Sequence, residues 1–115
     1  MSRVPCWKYY NEQNYAEAIN WLRKAAEQGH AEAQNYLGVM YDKGLGVAQN
    51  YADAVYWYHM AADQGDGVAQ TNLGVMYYRG HGVARNHAEA VKWFKKSAAQ
   101  GNETAINTLR MIGGY

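Results

Sequence analysis

The sequence predicts an all-α protein, an α-α superhelix (solenoid) of stacked antiparallel helix pairs, and three observations lead to this prediction. Segment 31–66 repeats as segment 67–102 without a gap, with 19 of the 36 positions identical. Apolar residues in each copy follow helical spacing, and glycines recur where helices should end. A fixed period of about 20–50 residues is typical of stacked arrays, in which each unit buries its apolar face only against its neighbours.

The first half of each copy predicts a helix that we call helix A. In the first copy Ala33, Leu37 and Met40 are spaced i, i+4 and i+7, which places them on one helical face. Gly44 and Gly46 follow, and glycine adopts the positive φ angles that close a helix and reverse the chain. The second copy therefore ends its helix A in the same way.

The second half of each copy predicts helix B. Asn50, followed three residues later by Asp53, resembles a capping box, and Gly65 is a typical C-terminal stop. Small and large residues alternate on one face, as in Ala54 and Trp57, so that facing helices can interlock. These signals recur 36 residues earlier and later, at Asn14, Glu17, Gly29, Asn86, Glu89 and Gly101. The recurring tryptophans Trp21, Trp57 and Trp93 are predicted to be core residues.

The predicted helices, in chain order, span residues 14–28, 31–43, 51–64, 67–79, 87–100 and 103–112, after a short helical stub at 6–11. Residues 1–115 are expected to form one repeat domain, with units at about 1–30, 31–66 and 67–102 and a capping helix at 103–112. The first unit is atypical because Pro5 stands 36 residues before Tyr41. The last helix is predicted to be a cap because Arg110 stands where earlier copies have Gly38 and Gly74.

Composition excludes several classes of function. Eleven Lys and Arg residues against ten Asp and Glu give a net charge of +1, without the basic stripe that nucleic-acid binding needs. No apolar run approaches the roughly 18 residues of a membrane span, so no membrane insertion is expected. No signal peptide is visible, which indicates the cytoplasm by default and leaves an exported mature form open. The single Cys6 makes no intramolecular disulfide.

No residue pattern predicts catalysis, a cofactor or a metal site. The sequence shows no pair of acids, no nucleophile with a base at suitable spacing and no cofactor motif, so we expect a non-enzymatic protein. The histidines are predicted to be surface positions and form no H-x-x-x-H pair: His30, His59, His81 and His87. The G-x-G loops lack the residues of a phosphate-binding loop and are interpreted as helix terminators.

The first copy carries the string A-x-A-x-x-x-L-G-x-M-Y-x-x-G-x-G-V-A-x-N-x-A-x-A-V-x-W-x-x-x-x-A-x-Q-G. It is similar to the Sel-one-like repeat, a relative of the tetratricopeptide repeat, over roughly residues 8–112. The resemblance implies a right-handed α-α superhelix that serves as a protein–protein interaction adaptor or scaffold. Some exported bacterial members carry one disulfide per repeat, and this chain lacks those cysteines.

The resemblance also implies where a partner binds, because helix A lines the concave groove of tetratricopeptide arrays. Carried onto this sequence, the groove positions include Glu32, Val68 and Thr104. Tyr36 is added because it has no aromatic equivalent in the next copy. Four of five groove positions differ between the copies, which either a partner or plain solvent would permit. The predicted partner-binding residues are Asn35, Tyr36, Val39, Asp42, Lys43, Thr71, Val75, Tyr78, Arg79, Asn107 and Met111.

Two functions stay open from the sequence. The first is an adaptor that holds a peptide or helix of another protein in the groove. The second is a self-associating protein, or a structural fragment of a longer array whose binding surface lies elsewhere. The atypical first unit supports the second hypothesis, which predicts a homodimer through the N-terminal face around Trp7, Tyr9 and Tyr10.

Overall fold

The computed structural model describes the backbone of residues 12–113 and the side chains of residues 15–113, and this part of the chain contains six helices and no strand. They are α1 (Glu12–Glu27), α2 (Ala31–Lys43), α3 (Tyr51–Asp63), α4 (Gly67–Arg79), α5 (His87–Ala98) and α6 (Glu103–Ile112). The prediction of an all-α fold is confirmed. The stub predicted at 6–11 lies outside the described residues.

The predicted helix bounds agree with the structure at every helix A and differ slightly at helix B. Helices α2, α4 and α6 span the predicted residues, whereas α3 and α5 end one and two residues early, at Asp63 and Ala98. Helix α1 begins at Glu12, so Asn14 lies inside the helix and the N-cap predicted there is wrong. A capping signal therefore located the helix start only to within two residues.

The helices pack in two layers. Helices α2, α4 and α6 form one layer, here called the A layer, and α1, α3 and α5 form the B layer. Each helix packs on the helix before and after it in the chain, and α2 with α3 and α4 with α5 form the most extensive pairs. Packing of each helix pair on the next is the architecture that the 36-residue period predicts.

In the pairs α2–α3 and α4–α5, a glycine of helix A lies in close contact with an aromatic ring of helix B. A Cβ atom built on Gly38 would lie 2.6 Å from the Tyr58 ring, and one on Gly74 would lie 2.6 Å from the Phe94 ring. The aromatic rings therefore rest directly on the backbone of helix A. Both rings are fully buried, with about 1% of their surface exposed.

The core consists of three clusters, each of which joins at least three helices. The first unites α1 and α2 and is covered by Trp57 of α3. The second unites α3 and α4 and includes Trp93 of α5, and the third unites α5 and α6 with residues of α4. The tryptophans of α3 and α5 thus pack on the preceding repeat.

The prediction that all three repeat tryptophans are core residues is wrong for Trp21. Its side chain is 75% exposed, whereas Trp93 is only 4% exposed. The reason is positional, because the described residues contain no helix pair before α1 for Trp21 to cover.

Four of the five helices from α2 to α6 have an N-cap residue whose side chain accepts a backbone hydrogen bond. Asn50, Asp66, Asn86 and Asn102 each accept a hydrogen bond from the backbone N–H three residues later, at 2.9–3.0 Å. His30 precedes α2 with the same extended backbone and makes no side-chain cap. Helix α2 therefore starts without a stabilising contact that its equivalents α4 and α6 have.

Replacing Gly74 by alanine should lower the free energy of unfolding by about 1–3 kcal/mol, because the new methyl group overpacks against the Phe94 ring. Gly67→Ala in the same helix is the matched control. A Cβ there would meet its nearest atom, Ser97 Oγ, at an ordinary 3.5 Å, so its effect should stay within about 0.5 kcal/mol. Urea unfolding followed by circular dichroism measures both. Equal effects would disprove the close approach.

His30→Asp should raise the free energy of unfolding by about 1 kcal/mol, because a carboxylate at this position accepts the free N–H of the first turn. Asp66→Ala, which removes the corresponding cap from α4, should lower it by a similar amount. His30→Ala is the control and should change little. The same unfolding measurement applies, and no difference between His30→Asp and His30→Ala would contradict the prediction.

Candidate partner-binding surface of the A layer

The predicted partner-binding residues fall into three groups by exposure. Five are exposed: Tyr36, Lys43, Arg79, Asn107 and Met111. Four are partly buried: Val39, Asp42, Val75 and Tyr78. Asn35 and Thr71 are buried, each with 6% of its surface exposed. The other carried-over positions, Glu32, Val68 and Thr104, are exposed.

The polar atoms of Asn35 and Thr71 are used inside the array. Asn72 Nδ2 donates to Asn35 Oδ1 at 2.9 Å, which links α4 to α2. The Thr71 hydroxyl lies 2.8 Å from the Ser97 hydroxyl, which links α4 to α5. Because a partner cannot reach either side chain without breaking these contacts, we leave both residues out of the proposed binding set.

Asp42 has a structural role as well. The Tyr58 hydroxyl donates to Asp42 Oδ2 at 3.0 Å. Burial, and next the adjacent Asp42 carboxylate, raise the pKa of Tyr58 well above its ordinary value. In the following repeat the corresponding pair is Tyr78 and Phe94, so a polar pair is replaced by an apolar one. This exchange explains why the position varies between copies.

Tyr78 lies at the edge of α4 beside basic side chains. The Arg85 guanidinium is 6.0 Å from the centre of its ring, and the His87 ring is 5.7 Å away. Part of the tyrosine packs on the α5–α6 cluster. The ring is therefore held in place while one side stays accessible, as is typical of an aromatic anchor for a bound segment.

One repeat position places apolar side chains on all three helices of the A layer. Val39 packs on the α3–α4 cluster and Val75 on the α5–α6 cluster, so both are half-buried. Met111, the third member, is 86% exposed. It has no following helix pair among the described residues to rest on. Val39, Val75 and Met111 together form an apolar row on this surface.

The histidines do not assemble a site. His59 Nδ1 lies 3.0 Å from Asp63 Oδ2, and the His81 ring stacks on Tyr51 at 4.4 Å. His30 and His87 are exposed. Among the described residues no three His, Cys, Asp or Glu side chains gather closely enough to hold a metal ion, and no described helix is long and apolar enough to cross a membrane.

A cleft of about 620 Å³ lies between α1 and α2, with Trp21, Leu22 and Tyr36 among its walls, and no sequence motif predicted it. Trp21 was assigned to the core from its repeat equivalents. The same 36-residue register predicts no full helix A before α1, so the face of α1 that such a helix would cover is left open as a cleft. The predicted dimer face around Trp7, Tyr9 and Tyr10 lies outside the described residues and stays a prediction.

Stacked helix pairs define the chain as an α-helical repeat protein. It belongs to the Sel1 (Sel-one-like) repeat family, whose model matches residues 12–30, 31–66 and 67–102. Proteins of this family generally act as protein-interaction scaffolds. A comparison with curated protein sequences finds no match.

Solved structures with the same repeats resemble this fold. The protective antigen c5321 of uropathogenic Escherichia coli strains superimposes with a TM-score of 0.82 at 40% identity, and a Sel1 repeat protein from Oxalobacter formigenes with 0.80 at 41%. Both alignments cover 90% of this chain but only 23% and 41% of those proteins. Cysteine rich protein B of Helicobacter pylori gives 0.77 at 31% identity over 81% of this chain and 70% of its own.

Replacing Tyr58 by phenylalanine should lower the free energy of unfolding at pH 7 by about 1 kcal/mol, through loss of the hydrogen bond to Asp42. The substitution should also make the free energy of unfolding fall less steeply with pH under alkaline conditions. Because the folded-state pKa is raised, the unfolded chain releases this proton first, and wild-type stability falls as pH rises above about 10.

Urea unfolding midpoints of the wild type and Tyr58→Phe between pH 7 and 11 test this prediction, since the other tyrosines and the lysines contribute equally to both curves. The difference between the two proteins should shrink as pH rises. A constant difference would show that Tyr58 ionises as readily in the folded chain as in the unfolded one.

Proposed function

We propose that the chain is a non-enzymatic adaptor that binds a segment of a partner protein along the exposed surface of the A layer. The observation that carries this proposal is the row of Val39, Val75 and Met111, which presents apolar side chains at one repeat position on the three helices of the A layer. Tyr36 and Tyr78 flank the row with aromatic rings. Grooves that capture peptides or helices are typically anchored by a few such residues.

The charges beside the row indicate the chemistry of the partner segment. Lys43 and Arg79 are exposed at the C-terminal ends of α2 and α4, next to Asp42 and Tyr78 in sequence. Neither cation has an ion-pair partner among the described residues. We therefore propose a segment that combines apolar side chains with at least one carboxylate, placed so that the carboxylate meets Lys43 or Arg79.

The polar side chains of the A layer support binding rather than catalysis. Asn35, Thr71 and Asp42 are engaged in hydrogen bonds that hold neighbouring helices together. A catalytic group needs a base, acid or nucleophile free to meet a substrate. The family as a whole is typically a non-catalytic scaffold.

Photo-crosslinking tests the proposal. A benzoylphenylalanine introduced at Tyr78 or at Met111 should crosslink a partner protein in native lysate, because both positions face the proposed groove. The same group at Tyr56, which is 56% exposed on α3 of the B layer, should not crosslink that partner. Equal crosslinking from Tyr56 would disprove the location of the surface.

Charge reversal of Lys43 and Arg79 to glutamate should weaken binding of the crosslinked partner at least tenfold and leave circular dichroism unchanged, since both side chains are exposed. Lys95→Glu on the B layer is the matched control, because Lys95 is also exposed near a helix C-terminus. Weakening by the control alone would place the interface on the opposite layer.

A further inference from the structure

The cleft between α1 and α2 is an apolar surface at the N-terminal end of the array. Ala18, Trp21 and Leu22 of α1 form one wall and Tyr36 of α2 lies on the other. Trp21 and Tyr36 are 75% and 52% exposed. Two large aromatic side chains beside a cavity of about 620 Å³ are an unusual arrangement for a solvated face.

Each of these four wall residues has an equivalent, 36 positions later, that contacts α2 or its core cluster. The Ala54 carbonyl and the Tyr58 ring lie directly against Gly38 of α2. Asn72 donates its hydrogen bond to Asn35 of α2, and Trp57 packs on the cluster that contains Leu37. The cleft is therefore the position that a helix A occupies in the rest of the array.

The N-terminal end keeps a polar contact residue that belongs to such a junction. Gln64 donates to the Gly29 carbonyl and to Gln34, and Gln100 donates to the Gly65 carbonyl and to Gln70. Gln28 stands at the same repeat position at the end of α1 and is exposed.

The other end of the array has lost the matching residues. Ile106 replaces the accepting glutamine, and Arg110 replaces the glycine at which helix A meets its aromatic ring. Helix α6 therefore has a capped outer face, whereas α1 has an intact docking face.

We propose that this cleft binds one α-helix of a partner protein in trans, an amphipathic helix with glycine or alanine where it crosses Leu22. The helices of this chain do not fit the role. Helices α2 and α4 are already packed in the array, and α6 would direct Arg110 at the apolar Leu22 side chain. The 36-residue register places Pro5 inside such a helix, and proline lacks the N–H that a helix interior requires. This inference does not depend on the groove proposed above.

A helix-stabilised peptide tests the inference directly. Its sequence is that of residues 66–79, which includes Gly74, and a matched peptide carries Gly74→Arg in imitation of α6. Each is titrated into the full chain labelled with nitrogen-15, and affinity is measured from amide shifts. The glycine peptide should shift resonances of α1 and of the facing side of α2. The arginine peptide should bind at least tenfold more weakly.

Protein variants separate the cleft from the groove. Trp21→Ala should weaken the glycine peptide at least tenfold without unfolding, because the Trp21 side chain is mostly exposed. Met111→Ala and Tyr56→Ala should leave its affinity unchanged, since these residues lie on the groove and on the outer B layer. Loss of binding in Met111→Ala with no effect of Trp21→Ala would overturn the inference in favour of the groove.

Four other outcomes would overturn it. They are no binding at millimolar peptide, equal binding of both peptides, a dimer in sedimentation equilibrium that Trp21→Ala converts to monomer, and nuclear Overhauser contacts from Trp7 or Tyr9 to the Leu22 methyls. The dimer would identify a second copy as the occupant. The Overhauser contacts would identify the chain's own N-terminal segment.

Discussion

The contact between a helix-A glycine and a helix-B aromatic ring is the constraint on which the array depends. Without a side chain at Gly38 or Gly74, the ring of Tyr58 or Phe94 lies on bare backbone, and this sets the distance between the A and B layers. A larger residue would push the layers apart and open the clusters on both sides of the pair. Because each cluster joins at least three helices, the effect would extend beyond the hairpin in which it began.

Polar bridges then fix how one repeat sits on the next. Gln34 Nε2 donates to the Ala26 carbonyl and Gln34 Oε1 accepts from Gln64, so one buried amide connects three helices. Gln70 repeats the arrangement with Ala62 and Gln100. Buried amides are costly unless both ends are satisfied, so these bridges select one stacking geometry over others with similar apolar burial. At Ile106 the series of bridges ends, together with the described array.

The sequence was sufficient for the helices but not for the surface. Periodic apolar residues and glycine stops predicted the A helices to the residue, because local packing and helix termination are encoded within a few positions. The surface was harder because variation between copies had two causes. Thr71 bonds to Ser97, whereas Asn35 bonds to Asn72 and has Ala61 at the repeat position of Ser97, and no single position reveals such differences in pairing. Trp21 and Trp93 are identical residues at one repeat position with different exposure, because a tryptophan there is buried only where a neighbouring repeat covers it.

The two proposed surfaces are adjacent, and this affects how a short array can bind. Three helices of the A layer offer a limited apolar area, and the aligned relatives c5321 and the Oxalobacter protein are considerably longer than this chain. Tyr36 and Val39 lie on the cleft and also on the proposed groove. A partner helix seated in the cleft would therefore add a fourth helix to the A layer and lengthen the groove by one repeat position. Contacts at both surfaces by one partner would then reinforce each other, because the second forms at a high effective concentration once the first is made.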